Sequence, residues 1–296
     1  MKNTLEAARQ EFLLAKYLEG LSPRTVDIYE EIIGRFISFA GSTLDLSDLK
    51  APLIRQYLAS LTSCNEVTKG IHVKCLRAFC RWLVANEYLE KNHMDKIPSP
   101  KEPQTFPRVL SEEELRALLK VARPSPRDYS IVALLVDCGL RSTELCRLEL
   151  DGLDLRGRSV TVKSGKGGKG RLVFLSDLTA RAISRWLSVR PDVFCNALFT
   201  SSRKEALTRS GLQQILSRLK NRTGIENGKR VSPSVLRASC ATCFVKNGGD
   251  PHSLARLLGH SSTRMAERYV NLLADDVKEI HRRCSPVSRL EGRRER

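Results

Sequence analysis

No stretch of the chain approaches the roughly 18 apolar residues that a bilayer-spanning helix needs, which argues against an integral membrane protein built on helices. The opening, MKNTLEAARQEF, is too polar for a secretory leader, so a cytoplasmic location is expected. A nucleotide-binding P-loop is also missing. The Gly- and Lys-rich stretch from Gly165 to Gly170 runs into Arg-Leu where a Walker motif needs Lys-Ser/Thr. There is no carboxylate cluster with magnesium spacing, no internal repeat, and no low-complexity tract beyond a basic tail. Nine cysteines, an odd number, sit mostly in apolar helical patterns and read as small buried hydrophobes, not as a disulfide framework. Cys240 and Cys243 form one CxxC, yet no second ligand pair follows at finger spacing, so core packing is expected there instead of zinc or redox chemistry. Acidic residues are the scarcest relative to their counterparts: 33 Asp and Glu stand against 50 Lys and Arg, for a net charge of +17. A surplus of that size repels itself unless a polyanion neutralises it. Nucleic acid is therefore the leading partner, with an anionic membrane surface second.

What is present divides into two domains. Residues 1–97 carry helical periodicity throughout, in four segments. Phe12, Leu13, Tyr17 and Leu18 open the pattern and Gly20 ends it; Ser22-Pro23 restarts it with a capping hydroxyl and a proline suited to a first turn. Two more helices are expected around Leu53–Leu61 and Val67–Leu89. Residues 98–109 hold four prolines and no periodicity, which reads as an extended linker. Ser111 with Glu114 makes a capping box that opens a second domain, residues 110–285, followed by a basic tail, 286–296. Within it, Ser159–Lys163 and Arg171–Leu175 are β-rich runs that predict a hairpin. The remaining segments, starting near Asp128, Leu178, Ser210, Pro233, Pro251 and Thr263, are helical. The fold class is thus mainly α with a small β-hairpin or sheet.

Four short stretches carry chemistry. Ser232-Pro233 starts a helix with Ser234 and Arg237 near its N-terminus, where the backbone dipole favours an anion. Asp250-Pro251 starts another, whose buried stripe of Leu254, Leu257 and Leu258 stops at Gly259, leaving His260 at the corner. Tyr269 follows nine residues later. Gly139 ends a helix just before Arg141, which turns into a segment bearing Glu144. Lys166 sits between glycines at the hairpin tip, where backbone can lie close to another molecule. Singly each signal is weak: a lone Tyr usually packs, a lone Arg is usually solvated, and a Gly-Lys tip is usually only a turn.

Together, in this order, they resemble the tyrosine recombinase/integrase family, most closely its Xer-type, phage- and transposon-encoded members. The matching positions are Gly139-Leu140-Arg141 with Glu144, the Gly-Lys-Gly tip at Lys166, Val235-Leu236-Arg237, Leu257-Leu258-Gly259-His260, and Tyr269. The resemblance implies an N-terminal core-binding (SAM-like) helical domain that clamps DNA and a C-terminal catalytic domain. It implies cleavage and rejoining of double-stranded DNA through a 3′-phosphotyrosyl link to Tyr269, with no cofactor, metal or ATP. Arg141 and Arg237 would hold the phosphate, Lys166 would protonate the leaving 5′-oxygen, His260 would bond the phosphate, and Glu144 would orient its neighbours. It further implies self-association into a tetrameric complex on DNA, alone or with a second recombinase, with the segment after Tyr269 docking on a neighbour. One position departs from the pattern: Ser234 stands where the family usually has histidine, and serine is no proton acceptor near neutral pH. An active enzyme with a modified site is expected, the alternatives being an inactive DNA-binding relative or a type IB topoisomerase-like activity.

Overall fold

The computed structural model describes residues 4–100, 107–163, 170–226 and 228–259. The chain divides into two compact units, residues 1–105 and 106–296, with the boundary falling inside the proline-rich stretch. Helix α1 spans Leu5–Leu18, α2 Pro23–Ala40, α3 Ala51–Ser60 and α4 Glu66–Ala85. Ser22 accepts the N–H of Thr25 at the start of α2, with Pro23 in the first turn, as the sequence signal requires. Phe12, Ile33, Phe36, Ile54, Leu76 and Phe79 fill the core of this unit, and Phe12 lies edge-on to Tyr29, Phe79 and Trp82 with ring centroids 5.2 to 5.7 Å apart. Tyr57 and His72 share a buried hydrogen bond of 2.9 Å.

The second unit is assembled around α6, Pro126–Cys138, which packs against α5 (Glu112–Ala122), α8 (Asp177–Leu187) and α10 (Pro233–Lys246). Ile131, Val132, Leu134 and Leu135 of α6 are fully enclosed. Ser111 and Glu114 form the expected reciprocal cap on α5. The short α7 is Ser142–Cys146, α9 is Arg209–Lys220 and α11 is Pro251–Leu258. Strands β2 (Ser159–Val162) and β3 (Arg171–Phe174) pair antiparallel, with Val160 opposite Val173 and Val162 opposite Arg171. The sheet has a third strand that the sequence did not signal, β1 (Leu153–Asp154), paired with β2. Two residues are too few to show an alternating pattern. The helix expected from Thr263 and the basic tail lie outside the described residues. Among the described residues, no helix is long and apolar enough to cross a membrane.

Two helix ends position the site. Helices α6 and α11 both stop at a left-handed glycine, Gly139 with φ 58° and Gly259 with φ 63°. A Cβ on Gly139 would lie 2.5 Å from Leu258 Cδ2, and one on Gly259 would lie 2.8 Å from the Arg171 guanidinium. Both glycines are thus demanded twice, by backbone conformation and by close packing.

Candidate active site

Arg237, in the second turn of α10, is only 8% exposed. Its Nη1 donates to the Gly139 carbonyl and its Nη2 to the Leu258 carbonyl, both at 2.6 Å. The guanidinium thus meets the ends of α6 and α11, where helix dipoles concentrate negative potential. This differs from the simple picture of an arginine displayed beside a helix N-terminus. The fold buries Arg237 and holds it from behind.

Arg141 lies at the turn between α6 and α7 and is more open, with a side chain 44% exposed. Its backbone N–H donates to Glu144 at 2.8 Å, its Nη1 to the same carboxylate at 2.7 Å, and its Nη2 to the Gly259 carbonyl at 3.4 Å. Glu144 is 10% exposed, and Arg237 Nη1 approaches it to 3.9 Å. A third guanidinium joins them: Arg171 of β3 donates from Nη1 and Nη2 to the two Glu144 oxygens at 2.8 and 2.9 Å, a bidentate pair. Burial alone would push the Glu144 carboxyl up. Hydrogen bonds from Arg171, from the Arg141 backbone and from the Arg141 side chain outweigh it and hold the carboxyl at about 2. One carboxylate against three guanidiniums leaves two positive charges in excess, suited to a phosphodiester gaining charge in a five-coordinate transition state.

Arg141 and Arg237 face a cavity of about 680 Å³, together with Ser142, Thr143, Ser232 and Ser234. Ser234 is exposed, with its Oγ 3.0 Å from that of Ser232. The far wall holds Arg209, Ser210 and Gln213 of α9, with Arg230 just ahead of α10. Among the described residues no carboxylate lines the cavity, and the N-termini of α9 and α10 both reach it. A separate cavity of about 300 Å³ between Leu119, Tyr129, Leu178 and Phe244 is mostly apolar and has the wrong chemistry for an anion.

Of the residues singled out in the sequence, Arg141, Glu144, Ser234 and Arg237 are brought together here. Lys166, His260 and Tyr269 lie outside the described residues. Arg171, Arg209 and Arg230 carry no such signal in the sequence. Arg171 reads as one polar position in a short strand, and its pairing with a carboxylate 27 residues earlier has no local signal.

Comparisons with known proteins identify the family. Residues 108–275 match the phage integrase family. The chain belongs to that family, the tyrosine recombinases. Among its relatives, tyrosine recombinase XerA of Thermococcus kodakarensis is 31% identical over 288 residues, covering 96% of this chain and 97% of that protein. A crystal structure of XerA recombinase matches with a TM-score of 0.56 at 26% identity, covering 95% of this chain and 99% of that one. A lambda integrase dimer bound to a COC' core site shares the fold, with a TM-score of 0.75 at 18% identity over 90% of this chain and 77% of that one.

Proposed function

We propose that the chain is a site-specific DNA recombinase that breaks and rejoins strands through a phosphotyrosyl intermediate on Tyr269. The observation that carries the reading is the Arg141–Glu144–Arg237 cluster, opening into a cavity whose wall, among the described residues, holds no carboxylate. Two arginines fixed by the fold can offer N–H forks to the nonbridging oxygens of one phosphate, so little reorganisation is needed as charge develops. The Tyr269 phenol oxygen attacks phosphorus and forms a P–O bond as the bond to the 5′-oxygen breaks. The phenol proton passes to solvent or a neighbouring base, and Lys166 protonates the departing 5′-oxygen. His260 bonds the phosphate. Rejoining is the reverse reaction with a 5′-hydroxyl as nucleophile, so the bond energy is conserved and no ATP is consumed. Ser234 donates a hydrogen bond to the phosphate in place of the usual imidazole.

The first unit, with its own core, serves as the DNA clamp. Four copies assemble on paired sites, an arrangement consistent with lambda integrase, which has been solved as a tetramer bound to a Holliday junction. The test is capture of a detergent-resistant protein–DNA adduct from a library of nicked duplexes with a randomised centre. Wild type should form the adduct and Tyr269→Phe should bind duplex equally well but form none. No adduct with wild type on any duplex would sink the reading.

A further inference from the structure

Arg171 is a charged side chain of this region that the reaction just described does not use. Unlike Arg141 and Arg237, it does not line the cationic cavity. Its side chain is 19% exposed, both terminal nitrogens are committed to Glu144, and its Nε donates to the Leu257 carbonyl at 3.3 Å. Through these contacts one side chain spans three elements: its own strand β3, the carboxylate of α7, and the last turn of α11. Gly259 packs directly on its guanidinium, so close that a single added methyl would collide with it. Lys166 lies five residues before Arg171 in the chain, and His260 directly follows Gly259.

We infer that Arg171 is a positioning residue: through Glu144 and the Leu257–Gly259 backbone it fixes the hairpin root, Arg141 and the corner leading to His260 in one geometry. The inference rests on the recombinase reading above and deepens it. A carboxylate with two oxygens can orient the half-exposed Arg141 only if it is itself fixed. Rotation of Glu144 about its side-chain bonds is stopped by the two parallel bonds from Arg171, which a monodentate donor would not achieve. Glu144 is faced by Arg141 from the start of α7, by Arg171 from β3 and by Arg237 from α10. With Arg171 removed the carboxylate retains its other partners, but loses the donor that contributes most to keeping it ionised.

The probe is the nicked duplex that wild type captures best from the library. Arg171→Gln is expected to slow adduct formation at saturating duplex by about 10²-fold, the order expected when a reacting group is misplaced by about 1 Å. Its duplex affinity should stay within about threefold, because Arg171 does not face the cavity. Arg171→Lys should recover part of the rate, since it restores the charge but not the fork. Glu144→Gln/Arg171→Gln should be no slower than Glu144→Gln alone, because Arg171 acts through the carboxylate that Glu144→Gln removes. The cleavage rate of Arg171→Gln should also fall on the acid side of its pH profile at a higher pH than wild type, as Glu144 becomes easier to protonate. A wild-type rate in Arg171→Gln, a rate loss matched by an equal loss of binding, or independent multiplication in the double variant would each overturn the inference. If Arg171→Gln does not fold, the Lys variant decides: a wild-type rate there refutes the role of the fork. If wild type itself forms no adduct, the recombinase reading fails. In that case a carbon-13 titration of the Glu144 carboxyl still judges the link, and an unmoved titration in Arg171→Gln refutes it.

Discussion

At the scale of single residues, Gly139 carries two burdens and its replacement should expose both. Gly139→Ala places a Cβ in left-handed backbone, at about 1–2 kcal/mol, and drives it against the buried Leu258. A loss of at least about 2 kcal/mol is expected from the denaturant midpoint, accompanied by slower cleavage because the Gly139 carbonyl also holds Arg237. Ser234→His restores the group common in the family at an exposed cavity position. Cleavage should be unchanged or faster, by up to about 10²-fold, in a single-turnover adduct assay; a sharp loss would reveal a role for the hydroxyl itself. Glu144 predicts an acid signature. Its folded carboxyl sits at about 2 against an ordinary 4.5. The depressed value stabilises the fold above about 4.5, and that contribution is lost as pH falls toward 2. Glu144→Gln should remove this component, so the difference in denaturation midpoint between wild type and variant should shrink across that window. Arg141, Glu144 and Arg237 stood out only through the family resemblance that their order carries, each signal being weak by itself. Arg171 did not, because its significance comes from an ion pair across the fold, which only tertiary packing creates.

At the scale of elements, helix starts were the easiest features to read. Ser22-Pro23, Ser111 with Glu114, Ser232-Pro233 and Asp250-Pro251 each cap the helix that their chemistry predicts. What spacing alone could not reveal is that the starts of α9 and α10 converge on one cavity, adding Arg209 and Arg230 to its wall. These two exposed arginines should contact backbone phosphates, which carry no base information. Arg209→Ala/Arg230→Ala is therefore expected to weaken binding similarly for every duplex sequence. It should also reduce the slope of log K against log salt by about 2, one per phosphate contact. A change in sequence preference with an unaltered salt slope would instead make them base readers.

The whole molecule has separate cores, one built on Phe12, Phe36 and Phe79 and the other on the residues around α6. A fragment ending at Thr105 should consequently fold by itself and melt cooperatively, as followed by circular dichroism. A broad, non-cooperative melt would show that the first core depends on the second unit. The charge surplus of +17 was plain from composition, and its meaning as a polyanion partner followed from physics without any motif. The boundary between the two units falls in the proline-rich stretch. The shape of the cationic cavity was not legible in the sequence, since its wall is drawn from three stretches of chain that meet only after folding.

Arg237 has a consequence for how this protein tolerates genetic change. Because its guanidinium ties two helix ends together inside the core, substitutions there are expected to deplete soluble protein as well as turnover. A screen that first selects for expression would discard them alongside ordinary packing defects. Well-behaved silent versions, useful as DNA-bound decoys, should therefore be sought at the half-exposed Arg141.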